Sequence, residues 1–456
     1  MNIAADYLVV GAGLSGLAFV DTLIAESPEA TAVVVDRRSA PGGHWVNAYP
    51  FVRLHSPSWY YGVHSLNLGA DKQDRDGLNA GLYERASKQE LLSYFSTVAQ
   101  RLEATGRVRF LFDHSWDPSG QVRTTTGEVL DVNVRHAIVD AGYLENSVPA
   151  THKPSFDVAD DAFFRPIGEM PAAAGSTSDF VVLGSGKTAV DACLWLLEDS
   201  SVDPDRVSWV RPREAWWHDR VLFQGLDLVG ENLLGLATDA SAIAAAASLE
   251  DLQERLEDAG NLVRLDPSHP ASMFRGGMLS AGEVDVLRRI DRVVRLGHVV
   301  RVERDRILLD GGTIKTGPDV LVVDCTARGA PDAPPLPVWS GDTITLQLVR
   351  QHSPPFSAAV IAWVEAHRSE VEEKNRLCPP NPMAISIADH PRMNARTWAT
   401  EGIWLGEPDL GAWIASSRLN ILRDLGKHQD EPAVRASLKL FLSSIGGAIE
   451  NAPRLA

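Results

Sequence analysis

The sequence has little cysteine and no long apolar run. Its three cysteines, Cys193, Cys325 and Cys378, lie far apart and form no C-x-x-C pair. This spacing excludes a disulfide framework, a cysteine zinc site and a dithiol redox centre, and it favours a reducing cytosol. No run of roughly 18 or more apolar residues is present, and Asp6 interrupts the first apolar stretch. We therefore expect a cytoplasmic protein without a membrane span or a secretion leader.

Basic residues are also scarce relative to acidic ones. The 456-residue chain has 43 basic and 60 acidic residues, which gives a formal net charge of −17 at pH 7. Such a chain is a poor candidate for binding nucleic acid or an anionic membrane through a general basic field. Any phosphate must be bound locally, by backbone N–H groups and a few arginines. The 13 histidines show neither H-E-x-x-H nor H-x-x-x-H spacing, so no metal site is predicted.

The N-terminal segment has the pattern of a strand, a tight turn, a helix and a second strand. Residues 7–10 are apolar, Gly11-Ala-Gly-Leu-Ser-Gly16 follows, residues 17–25 have helical spacing, and residues 31–35 form a strand that ends at Asp36. The three glycines allow the turn, the approach of a pyrophosphate and close helix–strand packing, and the acidic residue can bind a ribose diol. A plain structural turn would not require this whole arrangement. The predicted dinucleotide contacts are Gly11, Gly13, Ser15, Gly16, Asp36 and Arg37.

A second unit of the same kind begins at residue 180. An apolar strand at 180–183 leads into Gly184-Ser-Gly-Lys-Thr-Ala189, and Val181 stands where a nucleoside-triphosphate P-loop needs glycine. The strand at 207–210 ends in Arg211-Pro-Arg213, and arginine pairs well with a 2′-phosphate, which favours NADPH over NADH. A solvated loop is the alternative for both arginines. The predicted contacts are Gly184, Ser185, Gly186, Lys187, Thr188, Arg211 and Arg213.

With these two units, the chain resembles the flavoproteins that have two dinucleotide-binding domains, and most of all the class B flavin monooxygenases. The resemblance rests on the two glycine motifs, Asp36, the turn Gly42-Gly-His-Trp45, and returning strands at 134–139 and 320–323. It implies FAD in the first unit and NADPH in the second. It also places Gly43, His44 and Trp45 against the flavin. The F-x-G-x-x-x-H motif usual in this class is absent before the second glycine motif, which disfavours Baeyer–Villiger chemistry.

The fold expected from this layout is α/β, with two Rossmann-like dinucleotide-binding domains, the second inserted into the first. We predict a discontinuous FAD domain over residues 1–150 and 329–456, and an NADPH domain over 151–328. Within the latter, residues 222–310 exceed what a minimal unit needs and are predicted to form a helical insertion. Residues 241–256 and 281–290 have helical patterns, and 299–309 are expected to form a short hairpin. A lid over the substrate and a surface elaboration are equal alternatives.

Two further segments supply candidate site residues. The resemblance places residues 49–61 across the flavin face, so Arg53, His55 and Ser56 are candidates for flavin contact or proton handling, although a lone histidine is often structural. Near the C-terminal end, Gly341-Asp342 precedes a strand, and Asp342 is a candidate contact for the ribityl chain. A hairpin turn is the equal alternative. Two prolines at 354–355 then begin a helix whose N-terminus, by resemblance, faces the flavin.

The resemblance implies an FAD-dependent, NADPH-consuming monooxygenase that inserts one oxygen atom from dioxygen into a small organic substrate through a peroxyflavin. The alternative enzyme is an NAD(P)H-dependent flavin dehydrogenase or reductase that does not oxygenate. A redox-sensing flavoprotein without catalysis is a third interpretation. The expected partners are a small-molecule substrate and dioxygen, with no nucleic acid and no membrane, and the sequence leaves the oligomeric state undetermined.

Overall fold

The computed structural model describes residues 2–117, 120–177 and 179–455. The strands are β1 (Asn2–Val10), β2 (Ala32–Asp36), β3 (Val108–Phe112), β4 (His114–Trp116), β5 (Val122–Thr124), β6 (Val129–Asp140), β7 (Asp157–Val158), β8 (Phe164–Pro166), β9 (Asp179–Leu183), β10 (Val207–Val210), β11 (Glu214–Asp219), β12 (Leu262–Arg264), β13 (Ala271–Leu279), β14 (Val293–Val294), β15 (Val299–Val302), β16 (Arg306–Leu309), β17 (Gly312–Lys315), β18 (Val320–Asp324), β19 (Trp339–Ser340) and β20 (Thr343–Thr345).

The helices alternate with the strands in the first two thirds of the chain and dominate the last third. They are α1 (Leu14–Glu26), α2 (Lys88–Ala104), α3 (Met170–Ala173), α4 (Lys187–Leu194), α5 (Val229–Ala245), α6 (Leu249–Asp258), α7 (Ala281–Leu287), α8 (Pro354–His367), α9 (Val371–Leu377), α10 (Asp389–Leu405), α11 (Pro408–Ser416), α12 (Leu425–His428) and α13 (Pro432–Asn451). None of the described helices is both long enough and apolar enough to cross a membrane.

The first sheet is built on five parallel strands in the order β20-β6-β1-β2-β3. In this sheet Tyr7 pairs with Ala32 on one side and with Ala137 on the other. The strand β2 is the apolar run Ala-Val-Val-Val-Asp and is buried along its whole length, as expected for a parallel strand covered on both faces. The helix α1 returns from β1 to β2, so the first predicted strand–turn–helix–strand unit is present.

The second sheet is also parallel, in the order β14-β10-β9-β18-β8. The returning strand β18 lies beside β9, with Val323 paired with Val182. The predicted α/β class is therefore confirmed, and the two parallel sheets agree with two dinucleotide-binding units. After β18 the chain returns to the first sheet through β20. The domain boundaries at residues 150 and 329 stay predictions.

Residues 222–310 are not a purely helical insertion. The strands β12 and β13 of this segment pair with β11 in a separate three-stranded sheet, and β14 completes the second parallel sheet. The helical pattern predicted over 241–256 is divided between two helices, because α5 ends at Ala245 and α6 begins at Leu249. Ser248 accepts a hydrogen bond from the Asp251 N–H (3.2 Å), and a serine at this N-cap position starts a new helix. The hairpin expected over 299–309 is confirmed by the antiparallel pair β15–β16.

A buried carboxylate fixes α8 against the first sheet. Glu365 accepts hydrogen bonds from the Tyr7 hydroxyl (2.9 Å), the Trp339 indole (2.7 Å) and the Lys374 ammonium (2.6 Å). These partners come from β1, β19 and α9, so one side chain ties α8 to three other elements. Buried charge is tolerated only when it is paired and hydrogen-bonded, which is the case for Glu365. This anchor holds the C-terminal end of α8 against the first sheet.

Candidate active site

One large cleft is lined by residues of both parallel sheets and of α8. Its volume is about 1460 Å³, whereas a pocket for a single small molecule usually has about 300–1,000 Å³. The turns that follow β1 and β9 both line this cleft. Ligand sites in open parallel sheets lie at the carboxyl ends of the strands, where these turns are found. The cleft therefore has room for more than one ligand at the position where this fold binds them.

The first glycine turn leaves the start of α1 open to the cleft. Gly11 has a φ of +112°, and a Cβ atom on Gly16 would lie 2.1 Å from the Gly11 carbonyl oxygen, so neither position accepts a larger residue easily. Gly13 is the N-cap of α1, and neither a side-chain cap nor an acidic residue serves the first turn. Gly13 and Ser15 line the cleft. The unbonded N–H groups and the positive end of the helix dipole form an anion site.

Asp36 is held at the cleft by backbone groups. Its Oδ2 accepts the Ala12 N–H (2.8 Å), and its Oδ1 accepts the Arg38 N–H (2.9 Å). Each carboxylate oxygen can accept a further hydrogen bond, which leaves capacity for a ribose diol. Arg37 also lines the cleft, and its guanidinium pairs with Glu145 (2.7 Å), which comes from the loop after β6.

The turn at residues 42–45 lies beside the first glycine turn. Gly42 and Gly43 have φ values of +128° and +56°, and the Trp45 indole donates to the Tyr61 hydroxyl (2.9 Å). Burial lowers the pKa of His44 to about 4, and the nearby Arg38 adds to this effect. Gly43, His44 and Trp45 all line the cleft, with a neutral imidazole at pH 7.

Arg53, His55 and Ser56, the three candidate catalytic residues, all line the cleft. The His55 carbonyl accepts the Arg220 Nε–H (2.9 Å), which fixes the backbone of this segment. His55 Nδ1 is buried and has no hydrogen-bond partner in the described part of the chain. Burial, together with Lys187 and Arg220, lowers the pKa of His55 to about 3. The ring is therefore neutral at pH 7 and can accept or donate a hydrogen bond, but it cannot serve as a stored acid.

The second glycine turn repeats the geometry of the first. Gly184 has a φ of +127°, and a Cβ atom there would lie 2.8 Å from the Cys325 carbonyl oxygen. Gly186 is the N-cap of α4 and provides no side-chain cap. Ser185 Oγ is buried and has no partner among the described residues. Thr188 also lines the cleft. An uncapped helix start beside an unsatisfied hydroxyl fits an anionic ligand such as a pyrophosphate.

Lys187 is engaged within the protein. Its ammonium forms an ion pair with Asp191, one turn further along α4. Asp191 also accepts the Tyr49 hydroxyl (2.6 Å), so the start of α4 is tied to the segment that carries Arg53 and His55. Lys187 remains on the cleft wall, as predicted, but its charge is shared with Asp191.

The two arginines after β10 have different positions. Arg211 is buried, pairs with Glu214 (3.3 Å) and lies over the Trp209 ring (4.8 Å), and it does not line the cleft. This placement does not support Arg211 as a phosphate ligand, because its guanidinium is buried and pairs with Glu214, and the role stays a prediction. Arg213 is exposed and lines the cleft.

Two arginines that the sequence motifs did not indicate lie beside Arg213. Arg275 on β13 and Arg328 after β18 both line the cleft. Burial lowers the pKa of Arg275, the charges of Arg213 and Arg328 lower it further, and Asp332 opposes them, so the three cations act on one another on the cleft wall. Arg328 follows the returning strand β18, and this position in the sequence could have predicted that it lies at the edge of the cleft. Arg275 comes from the segment expected to be helical, and nothing in its local pattern indicated a site.

Asp342 is outside the cleft. It lies in the turn of the hairpin β19–β20, where Trp339 pairs with Ile344, and its carbonyl accepts the Ile138 N–H (2.8 Å). The structure therefore has the hairpin turn, and this position does not support Asp342 as a ribityl contact, which stays a prediction. The start of α8 is at the cleft instead, because Ser353, Pro354 and Pro355 line it.

A relative from Mycobacterium tuberculosis matches this sequence along its whole length. The uncharacterized protein Rv2000 is 43% identical over 458 residues, and the match covers 100% of this chain and 85% of Rv2000. This chain belongs to the Rv2000 family. No protein-family model matches it.

Two more distant similarities accompany the Rv2000 family relationship. The M. tuberculosis protein MymA, provisionally named an FAD-containing monooxygenase, is 29% identical over 159 residues, which cover 34% of this chain and 32% of MymA. The predicted resemblance to flavin monooxygenases is confirmed by this match. Among solved structures, NADP+-bound cyclohexanone monooxygenase from Rhodococcus sp. Phi1 is 14% identical, with a TM-score of 0.49, and covers 88% of this chain and 98% of that chain.

Proposed function

We propose that this chain is a flavoprotein monooxygenase that uses FAD and NADPH to insert one oxygen atom of dioxygen into a small organic substrate. The observation that carries the proposal is that two uncapped helix starts, each preceded by a glycine turn, line one cleft. A dinucleotide at each turn extends into a shared space, where the two reactive rings can meet. The resemblance to class B flavin monooxygenases supports FAD at the first turn and NADPH at the second.

The first unit has groups that fit FAD. The N–H groups at the start of α1 are free for the pyrophosphate, and Asp36 retains hydrogen-bonding capacity for the ribose. Trp45 and the start of α8 provide an apolar surface and a positive helix end for the flavin ring. When bound, FAD supplies the redox chemistry and the reaction with dioxygen. The chain contributes the binding and the orientation of the cofactors and the substrate.

The second unit has groups that fit NADPH. The start of α4 and the unsatisfied Ser185 hydroxyl suit its pyrophosphate. The cluster of Arg213, Arg275 and Arg328 suits its 2′-phosphate, since arginine binds phosphate through charge-assisted hydrogen bonds. In this assignment Arg213 takes the role first expected of Arg211.

Replacement of Arg213 by alanine is expected to weaken NADPH binding by about 10- to 150-fold and to change NADH binding little. A hydrogen bond to a charged group contributes about 1.5–3 kcal/mol, and about 1.4 kcal/mol corresponds to tenfold in affinity. NADH lacks the 2′-phosphate, so its binding affinity should not fall by a comparable factor. Fluorescence titration with each coenzyme measures the ratio of NADPH affinity to NADH affinity.

Arg211→Ala is the matched control, two residues away and turned from the cleft. It should leave the ratio of NADPH to NADH affinity unchanged, even if the loss of the Glu214 pair lowers stability. An equal loss of affinity for both coenzymes in Arg213→Ala would contradict the assignment of the 2′-phosphate site. A loss of the preference for NADPH over NADH in Arg211→Ala would contradict it as well.

Labelled dioxygen tests the reaction itself. With a panel of organic sulfides, amines and ketones, we expect a product that contains one labelled oxygen atom, with NADPH and dioxygen consumed one to one. Heteroatom oxidation is expected over ester formation, because the chain lacks F-x-G-x-x-x-H before its second glycine motif. Mass spectrometry of the products and an oxygen electrode provide the measurements. Unlabelled products, together with undiminished turnover of an artificial acceptor under nitrogen, would assign the chain to the flavin dehydrogenases instead.

A further inference from the structure

A second and much smaller cavity lies behind the cleft. Its volume is about 30 Å³, and we call it the inner chamber. It is lined by β11, α5, the loop before α8 and α10, which contribute His218, Asn232, Gln351 and His390 among other residues. His352 lines both the inner chamber and the cleft, so its ring forms part of the wall between them.

The walls of the inner chamber carry polar atoms that the described residues leave unsatisfied. The Asn232 side-chain N–H donates to the Leu222 carbonyl (2.7 Å), and the Asn394 side-chain N–H donates to His390 Nε2 (3.0 Å), so the oxygen of each amide is the unpaired atom. Native interiors rarely leave buried polar groups without partners. The buried atoms without a partner on these walls are Asn232 Oδ1, Asn394 Oδ1, Gln351 Oε1, His218 Nε2 and His390 Nδ1.

The size and chemistry of the inner chamber match water. One buried water molecule needs at least about 10–15 Å³ of such volume, so about two water molecules fit. Most of the unpaired atoms are acceptors, and each water molecule brings two donors. Among the described residues, no group of three His, Cys, Asp or Glu side chains is arranged to hold a metal ion, so the three histidines here do not form such a centre.

His390 and Asp239 lie side by side on the wall of the inner chamber. His390 Nε2 lies 3.5 Å from Asp239 Oδ2, and the unpaired Nδ1 is on the other side of the ring. The Asp239 side chain keeps 11% exposure. An imidazole can accept a proton at one nitrogen and release one from the other. The chamber wall therefore carries a carboxylate and an imidazole close enough to exchange a proton.

We propose that the inner chamber holds two water molecules, and that His390, this water and His352 carry protons from Asp239 to the cofactor cleft. The inference rests on the proposed function, because one turnover takes up NADPH, dioxygen, substrate and one proton and yields NADP+, oxygenated product and water. That proton must reach the reacting groups inside the cleft, and His352 lines both the inner chamber and the cleft.

The other groups on this path agree with such a role. Burial lowers the pKa of His352 to about 4, and His390 adds to the effect while Asp239 opposes it. Burial, followed by the neighbouring His390 and His352, lowers the pKa of His218 well below its ordinary value. Both rings are therefore neutral at pH 7, as a relay at rest requires. The ring centroids of His218 and His352 are 5.7 Å apart, and the ring centroids of His218 and His390 are 5.6 Å apart.

The first test does not depend on activity. A high-resolution crystal structure of the protein should show water within hydrogen-bonding distance of Asn232 Oδ1 and Asn394 Oδ1. A dry inner chamber would overturn the proposal.

The second test measures proton uptake directly. Reduced holoenzyme is mixed with dioxygen in weakly buffered solution that contains a pH indicator, and oxidation of the reduced flavin takes up one proton even if hydrogen peroxide is the only product. His390→Phe should slow this uptake by about 10- to 100-fold, within the range of general acid–base effects. The rate of flavin reduction by NADPH on the same sample provides the comparison, since hydride transfer takes up no proton.

Two further variants separate proton transfer from packing. Phe223→Leu alters the same chamber wall without removing a proton-carrying group, and it should leave proton uptake unchanged. His390→Gln keeps hydrogen-bonding groups but has no imidazole ring to pass a proton. Its proton uptake should be as slow as that of His390→Phe. Normal uptake in His390→Gln would make the residue merely structural and overturn the relay. Slow uptake together with unlabelled products would retain the relay and reject only the oxygenation.

Discussion

Replacement of Gly13 by valine is expected to yield a folded but colourless protein. Gly13 has a φ of −79°, and a Cβ atom there would meet nothing nearer than the Gly43 Cα at 3.5 Å, so the chain itself tolerates a side chain. A pyrophosphate at the start of α1 needs the space that the valine methyl groups would occupy, because the second glycine of this motif allows the close approach of the backbone. FAD should therefore be lost without loss of fold.

The measurement is the flavin absorbance per chain after purification, together with thermal unfolding followed by circular dichroism. Gly446→Val is the matched control, because this glycine lies in α13, does not line the cleft, and has nothing within 4 Å of the position that a Cβ atom would take. It should keep the same flavin content as the parent protein. One flavin per chain in Gly13→Val would mean that the first glycine motif does not bind the pyrophosphate.

Replacement of Arg220 by methionine is expected to lower the free energy of unfolding by about 3–5 kcal/mol at pH 7, as when one partner of a buried ion pair is removed. Arg220 is 0% exposed and donates to Glu283 Oε2 (2.6 Å), the His55 carbonyl (2.9 Å) and Asn79 Oδ1 (3.2 Å). Methionine fills part of the volume but removes the shorter ion pair of Glu283, which keeps Arg85 at 3.2 Å and the Ser280 N–H at 3.0 Å. The backbone of the His55 segment also loses its support.

The effect should decrease at low pH. Burial raises the pKa of Glu283, but Arg220, Lys187 and Arg85 outweigh it and hold the pKa at about 2. The ordinary pKa of this carboxyl is 4.5, so the stability from the pair is complete above that value and is lost as the pH falls towards 2. Urea unfolding of parent and variant at pH 7 and about pH 3 should therefore give a smaller difference at the lower pH.

Arg289→Met is the control for this second prediction. Arg289 pairs with Glu198 at 2.9 Å, but the two side chains are 50% and 38% exposed. An exposed pair contributes about 0–1 kcal/mol, so the change should be small at both pH values. If Arg220→Met lowered the free energy of unfolding no more than Arg289→Met does, the buried arginine would not support the cleft wall as the structure indicates.

The glycine turns show what the sequence by itself determined. Their requirements are local: a positive φ at Gly11 and Gly184, and no room for a Cβ atom at Gly16. Such constraints act over a few residues, so the motif, the strand before it and the helix after it can be recognised together. The same holds for the predicted strands β1, β2, β6, β9, β10 and β18 of the two parallel sheets, and for Ser15, Asp36 and Trp45 on the cleft wall.

The tertiary structure decided which charged groups face the cleft. Arg211 and Arg213 are two residues apart, yet Glu214 and Trp209 hold the first inside the protein, and only the second reaches the cleft. Arg275 on β13 joins Arg213, which lies in the turn before β11, across some sixty residues of chain. The direction of a side chain depends on the neighbours it packs against, and a linear pattern does not contain them.

The inner chamber depends on tertiary structure in the same way. Its polar walls come from β11, α5, α10 and the loop before α8, and none of those residues stands in a recognisable motif. Asp342 shows the converse case, because a short glycine–aspartate pair suits a cofactor contact and a hairpin turn equally well, and strand pairing selected the turn. Local backbone requirements are written in adjacent residues, whereas shared cavities and charge clusters arise only when distant segments pack together.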